Sequence, residues 1–156
     1  MTMNLTTKQV FNMSEADFGD YLAGLIEGDG HINQHQIIII FHGTHGDVAK
    51  KLKLVLGGSV TKGPTQSWRY VLSHKAGLDR VLKLTRSRWI GPFKTNQILH
   101  HNLEQAYDFA LSHQTLTATK PNFWHVGFTD ADGCFDIQIR RCQSSRLKLR
   151  VDLRLT

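Results

Sequence analysis

Two segments of the chain, LAGLIEGDG at residues 22–30 and HVGFTDADG at residues 125–133, align without a gap at a spacing of 103 residues. They share Gly24 with Gly127, Asp29 with Asp132 and Gly30 with Gly133. Each reads as a helix running into a strand, so the chain is built on an internal repeat. Glycine inside a helix costs about 1 kcal/mol relative to alanine, so Gly24 and Gly28 need a use beyond the local backbone. They lie on one helix face at i and i+4, and Gly127 and Ala131 repeat that small-residue face in the second copy. These four positions are predicted to form an interface where the two motif helices approach backbone to backbone.

Asp29 and Asp132 then stand at helix C-termini, where the dipole and free carbonyls already carry partial negative charge, each before a glycine suited to a left-handed cap. Two carboxylates ~6 Å apart at an effective dielectric of about 20 repel by roughly 2–3 kcal/mol. Such a pair is a poor structural element and a good divalent-cation site. Mg²⁺ takes carboxylate and carbonyl oxygens, and the terminal backbone carbonyls of Gly28 and Ala131 extend the donor set.

The 156 residues suit one domain or two small pseudo-repeats sharing a core, and 40% apolar residues, 21% charged residues and three prolines exclude a disordered or collagen-like chain. Cys134 and Cys142 make neither a disulfide framework nor a paired-cysteine zinc site, which fits a reducing, intracellular setting. Nine histidines without paired cysteines or a helical HExxH do not form a zinc pattern. Nineteen Lys and Arg against 13 Asp and Glu give a net charge of +6, which favours a polyanionic partner.

Residues 1–13 read as a mobile leader and 14–114 as a first repeat. Within it Ser14 caps a helix that stops near residues 28–30, and a strand is centred on 37–40. A helix over 47–56, a hairpin of 59–62 with 68–73, a helix over 76–84 and a last helix over 95–112 follow. Residues 115–121 form a polar linker, and 122–156 a partial second repeat.

The two motifs resemble the signature helices of a monomeric, two-repeat LAGLIDADG homing endonuclease. That resemblance covers roughly residues 15–156. It implies an α+β fold of pseudo-two-fold repeats, with antiparallel β-sheets forming a DNA-binding saddle and two packed central motif helices. It implies that Asp29 and Asp132 bind metal and position water for hydrolysis of both DNA strands. Mg²⁺ is the expected cofactor, with Mn²⁺ able to substitute and Ca²⁺ binding without supporting cleavage. Lys94, in PFKTNQ, resembles the family's active-site lysine, and His45 follows the central strand where the family places a polar residue near the water. Double-stranded DNA with a long specific target is the implied partner, and an organelle, mitochondrion or chloroplast, the implied location. An RNA maturase or a non-cleaving DNA-binding protein on the same scaffold is the alternative reading.

The reading surface is sought on alternating strands. In RLKLRVDLRLT, residues 146–156, the odd positions are apolar, while Lys148, Arg150, Asp152 and Arg154 lie on the other face with Arg146. The preceding strand offers Asp136, Gln138 and Arg140, giving one continuous polar face, and arginine donates a bidentate pair to guanine. In the first repeat Gln36, His42 and Thr44 share a face with Ile38 and Ile40, and Arg69 is added from the hairpin. Readout there is expected to rely more on thymine methyl groups and shape. Only 23 residues come after Gly133, against about ninety after Gly30 in the first copy. The repeat symmetry therefore predicts that these residues are a fragment, a cleaved or split product, or one part of an assembly in which a complementary C-terminal polypeptide completes the second repeat.

Overall fold

The computed structural model describes residues 5–112, 123–132, 135–141 and 149–155, with residues 44, 132, 135–141 and 149–155 described by backbone alone. The fold is α+β. A five-residue helix α1 (Thr7–Phe11) lies inside the predicted leader and corrects that expectation. A capping box between Thr6 and Gln9 starts it, and the Phe11 ring packs 5.0 Å from Phe18 and 5.7 Å from Tyr21. Thr7 is buried beside Glu15 and Arg80, so residues 7–11 belong to the domain.

Ser14 caps the motif helix α2 (Glu15–Asp29) by accepting from the Asp17 amide, and Phe18, Tyr21, Leu22, Leu25 and Ile26 bury its inner face. Strands β1 (Gly30–Ile32) and β2 (Ile37–His42) come next as a short hairpin. Asn33 Oδ1 closes its turn by accepting from the amides of His35 and Gln36. A 3-10 turn (Gly43–His45) leads into α3 (Gly46–Leu56), and β3 (Ser59–Lys62) and β4 (Ser67–Leu72) form the predicted second hairpin. The antiparallel sheet has the order β1-β2-β4-β3. Ile37, Ile39 and Phe41 of β2 with Tyr70 and Leu72 of β4 face the core, where α2, α3 and α4 (Lys75–Thr85) bury Ile26, Leu52, Val55, Val81 and Leu82.

The single helix expected over 95–112 is two helices, α5 (Pro92–His100) and α6 (Leu103–Tyr107). Pro92 fits the first position because its missing amide hydrogen has no intrahelical partner there. Asn102, with φ at 54°, breaks the run in the left-handed region that asparagine tolerates, and Asp108 ends α6 in the same region. The second motif forms α7 (Phe123–Asp132), and β5 (Phe135–Arg141) pairs antiparallel with β6 (Leu149–Leu155). The linker at 115–121, Cys134, Cys142 and Lys148 lie outside the described residues. No helix among the described residues is long and apolar enough to cross a membrane.

Candidate active site and nucleic-acid interface

The two motif helices meet as the small residues predict, and the contact is reciprocal. A methyl group built on Gly24 would collide with the Trp124 carbonyl oxygen and stand 2.7 Å from the Phe128 nitrogen. One built on Gly127 would collide with the Tyr21 carbonyl oxygen and stand 3.0 Å from the Leu25 nitrogen. Residues 124 and 128 are the counterparts of 21 and 25 under the 103-residue shift of the repeat, so a pseudo-two-fold axis passes between Gly24 and Gly127. Gly28 is half-buried one turn further on, and Ala131 packs against the core.

Two side-chain bonds obey the same symmetry. Tyr21 donates its hydroxyl to Asp130 Oδ2 at 2.9 Å, and Trp124 donates its indole N–H to Glu27 Oε2 at 2.9 Å. Each joins the residue before one motif to the sixth residue of the other. Hydrogen bonds to a charged acceptor contribute about 1.5–3 kcal/mol each, so these pairs clamp the crossing on both sides. Burial, and then the neighbouring Asp130 carboxylate, push the Tyr21 phenol far up, so it stays a donor. These four residues were missed in the sequence, although an aromatic with a polar tip and, six residues later, an acid recur in both copies.

Asp29 and Asp132 are the last residues of α2 and α7. The left-handed glycine cap expected after Asp29 is not formed: Gly30 is extended, with φ at −89° and ψ at 158°, and enters β1 directly. Its glycine is needed for space, since a Cβ would meet the Ile26 backbone at 2.6 Å. Lys94, in the first turn of α5, donates its ammonium to the Gly30 carbonyl, one residue after Asp29. Burial holds the Lys94 amine below the usual lysine range, opposed by the Glu27 charge. Burial raises Glu27 in turn, against the pull of two backbone amides, the Trp124 indole and Lys94. Glu27, Ile90, Gly91, Phe93, Lys94, Trp124 and Phe128 line a cavity of about 250 Å³ at this junction. His45 is exposed in the 3-10 turn; Gly30 pairs with Ile39, and His45 comes six residues later, after β2 has ended. Among the described residues no group of three or more His, Cys, Asp or Glu forms a metal cluster.

The family model for LAGLIDADG endonucleases matches residues 125–156, from the start of the second motif to Thr156. Over these residues the chain is similar to the LAGLIDADG endonucleases. It is 28% identical over 151 residues to an uncharacterized cox1 intron-2 protein of 37.2 kDa from Schizosaccharomyces pombe, covering 91% of this chain and 46% of that protein. It is 26% identical over 153 residues to the intron-encoded RNA maturase bI4 of Saccharomyces cerevisiae, covering 94% of this chain and 23% of the maturase. The fold matches the LAGLIDADG meganuclease I-AabMI bound to uncleaved DNA, with a TM-score of 0.56 and 18% identity over 86% of this chain and 64% of that one. It matches the meganuclease I-SmaMI equally well, with a TM-score of 0.56 and 14% identity over 86% of this chain and 65% of that one. The chain thus spans about half or less of these curated relatives, and just under two thirds of these solved chains.

The helices cover one face of the four-stranded sheet and leave the other open. The open face carries Gln36, Ile38, Ile40 and His42 from β2 and its lead-in, all half-buried or exposed, while the intervening isoleucines and Phe41 are buried. The register sets His31 beside Ile38, Ile40 beside Arg69, Arg69 beside Thr61, and His42 beside Ser67. Arg69 is exposed and central on this face. Thr44 lies just beyond, in the turn. In the second sheet the register pairs Asp136 with Arg154, Gln138 with Asp152 and Arg140 with Arg150, so these positions fall on one side of the ladder. Phe135, Ile137 and Ile139, paired with Leu155, Leu153 and Val151, fall on the other, which is the alternation read from the sequence.

Proposed function

We propose that this chain acts in a site-specific homing endonuclease that hydrolyses both strands of a long DNA target and leaves a staggered break. The observation that carries the reading is the reciprocal crossing at Gly24 and Gly127, which relates the ends of α2 and α7, and so Asp29 and Asp132, by the same pseudo-two-fold axis. A two-fold arrangement of acids suits a substrate whose two strands run antiparallel. The donor set around them fits a hard cation, because two carboxylates and helix-terminal carbonyls supply oxygen alone. Asp29 and Asp132, with the carbonyls of Gly28 and Ala131, would hold Mg²⁺ or Mn²⁺. Bound there, the ion would neutralise charge developing on the phosphate oxygens.

The protein's own groups carry the rest. Lys94 brings a cation beside Gly30, next to Asp29, where it would orient the attacking water or the scissile phosphate. His45 is assigned a lesser, water-associated role. On the open sheet face Ile38 and Ile40 offer methyl contacts to thymine, and Gln36, His42, Thr44 and Arg69 offer polar contacts. Asp136, Gln138, Arg140, Lys148, Arg150, Asp152 and Arg154 would read the other half of the site. The intron-derived names of both curated relatives support an intron-encoded, organellar origin.

The maturase bI4 likeness favours a second reading, an RNA maturase on the same scaffold. Selection of cleaved sites from a randomised duplex DNA pool, with Mg²⁺ and with Ca²⁺, separates the two. Cleavage at one long site in Mg²⁺ with binding alone in Ca²⁺ is expected. Recovery of no cleaved site, together with tight binding to intron RNA, would favour the maturase.

A further inference from the structure

We infer that Glu27 is the positioning residue for Lys94: its carboxylate fastens the connector in front of α5 to both motif helices at once. Glu27 Oε1 accepts from the backbone amides of Ile90 at 2.8 Å and Gly91 at 2.9 Å, and its Oε2 accepts the Trp124 indole N–H at 2.9 Å. Gly91 is the N-cap of α5 and has no side chain with which to cap it, and Pro92 occupies the first helical position. The start of α5 is therefore held by Glu27 from outside the helix. Phe93 cannot anchor that turn, because it is 78% exposed. The next turn is fixed separately, by buried Ile98 and by Gln97, whose Oε1 accepts the Ile32 amide at 3.0 Å.

Lys94 is the third residue of α5, and its bond to the Gly30 carbonyl depends on where that first turn stands. A lysine ammonium rides on a flexible four-carbon stem, so it keeps a direction only if its backbone is fixed. Glu27 supplies that fixation from two residues before Asp29, on the same helix as the acid. Through Trp124 the same carboxylate also couples the placement of Lys94 to the docking of α7.

Acylation of the native protein by an N-hydroxysuccinimide ester, read lysine by lysine by mass spectrometry, tests this without any reaction on DNA. In Glu27→Ala the labelling rate of Lys94 should rise about tenfold relative to wild type, as expected for loss of hydrogen bonds to a charged acceptor. Lys50 and Lys83, which are exposed, should be labelled as before. Glu27→Gln keeps one acceptor oxygen for both backbone amides and should leave Lys94 protected. Equal Lys94 labelling in folded wild type and Glu27→Ala overturns the inference, as does Glu27→Gln labelling as fast as Glu27→Ala. Should Glu27→Ala not fold, hydrogen exchange in the wild type decides: slow exchange of the Ile90 and Gly91 amides is expected, and exchange at the rate of free amides overturns it. A cleavage arm rests on the endonuclease reading. Lys94 serves one copy of the motif, so Glu27→Ala should slow one strand more than the other and accumulate nicked DNA. A wild type that cuts nothing defeats the endonuclease reading and leaves the labelling result standing. A Glu27→Ala protein cutting both strands at wild-type rates overturns the positioning role.

Discussion

Replacing Gly24 by alanine sets two effects of opposite sign against each other. Helix propensity alone would stabilise the variant by about 1 kcal/mol. The crossing with α7 opposes this, because the new methyl would stand 2.7 Å from the Phe128 nitrogen, where ordinary contact begins near 3.4 Å, and closer still to the Trp124 carbonyl. The obstacle is backbone on both sides, so no rotamer relieves it and α7 must retreat by at least about 0.7 Å, the difference between those two distances. The Tyr21–Asp130 and Trp124–Glu27 bonds, both 2.9 Å, would then stretch to about 3.6 Å, beyond useful hydrogen-bond length. Overpacking costs about 1–3 kcal/mol and each weakened bond up to about 1.5–3 kcal/mol, so the net loss should be roughly 3 kcal/mol or more. Urea unfolding monitored by tryptophan fluorescence measures it. Gly127→Ala should lose a similar amount by symmetry. The double variant should lose less than the sum, because once the helices part the second methyl finds room. An unchanged or raised midpoint for Gly24→Ala would refute the backbone contact.

Three further outcomes are expected. The Thr7 hydroxyl first, and then Arg80, hold the Glu15 carboxyl below its ordinary value of 4.5. Its contribution to stability is therefore present above that pH and lost as the pH falls through the lowered value, so wild type and Glu15→Gln should differ in melting temperature near neutrality and converge in acid. Tyr21→Phe leaves Asp130 with an unmet acceptor at the helix crossing and should cost about 1.5–3 kcal/mol in the same urea assay, with an unchanged midpoint counting against the clamp. Arg69→Ala on the open sheet face should weaken DNA binding, lowering the salt slope by about one if it meets a phosphate or costing ~1–3 kcal/mol at one base pair if it meets a base. A salt titration with no change in either would make this arginine an ordinary solvated residue.

Most of the frame was legible because its signals are local or repeat. Ser14 with its acidic first turn, the Ile37 to Ile40 run and the turn residues near Gly63 each specify one element, and the small residues at 24 and 127 specify the crossing. The features that escaped depend on distant partners. The five residues of α1 are too few to hold a helix alone and depend on Phe18, Tyr21 and Arg80. The break at Asn102 uses a left-handed conformation that the apolar spacing does not encode. Gly30 is a glycine for lack of space over Ile26 and not for a positive φ, a distinction only packing reveals. The Tyr21–Asp130 and Trp124–Glu27 bonds span 109 and 97 residues, so each partner alone reads as an ordinary aromatic or surface acid.

The central claim is that the two motif helices bring Asp29 and Asp132 together as one metal-dependent cutting site. Strand-resolved cleavage of a selected duplex by wild type, Asp29→Asn and Asp132→Asn in Mg²⁺, with affinity measured in parallel in Ca²⁺, tests it most directly. On the proposal that these acids would hold metal and not read bases, each substitution should abolish double-strand cleavage while leaving DNA affinity within about tenfold. Wild-type double-strand cleavage by either variant would contradict it.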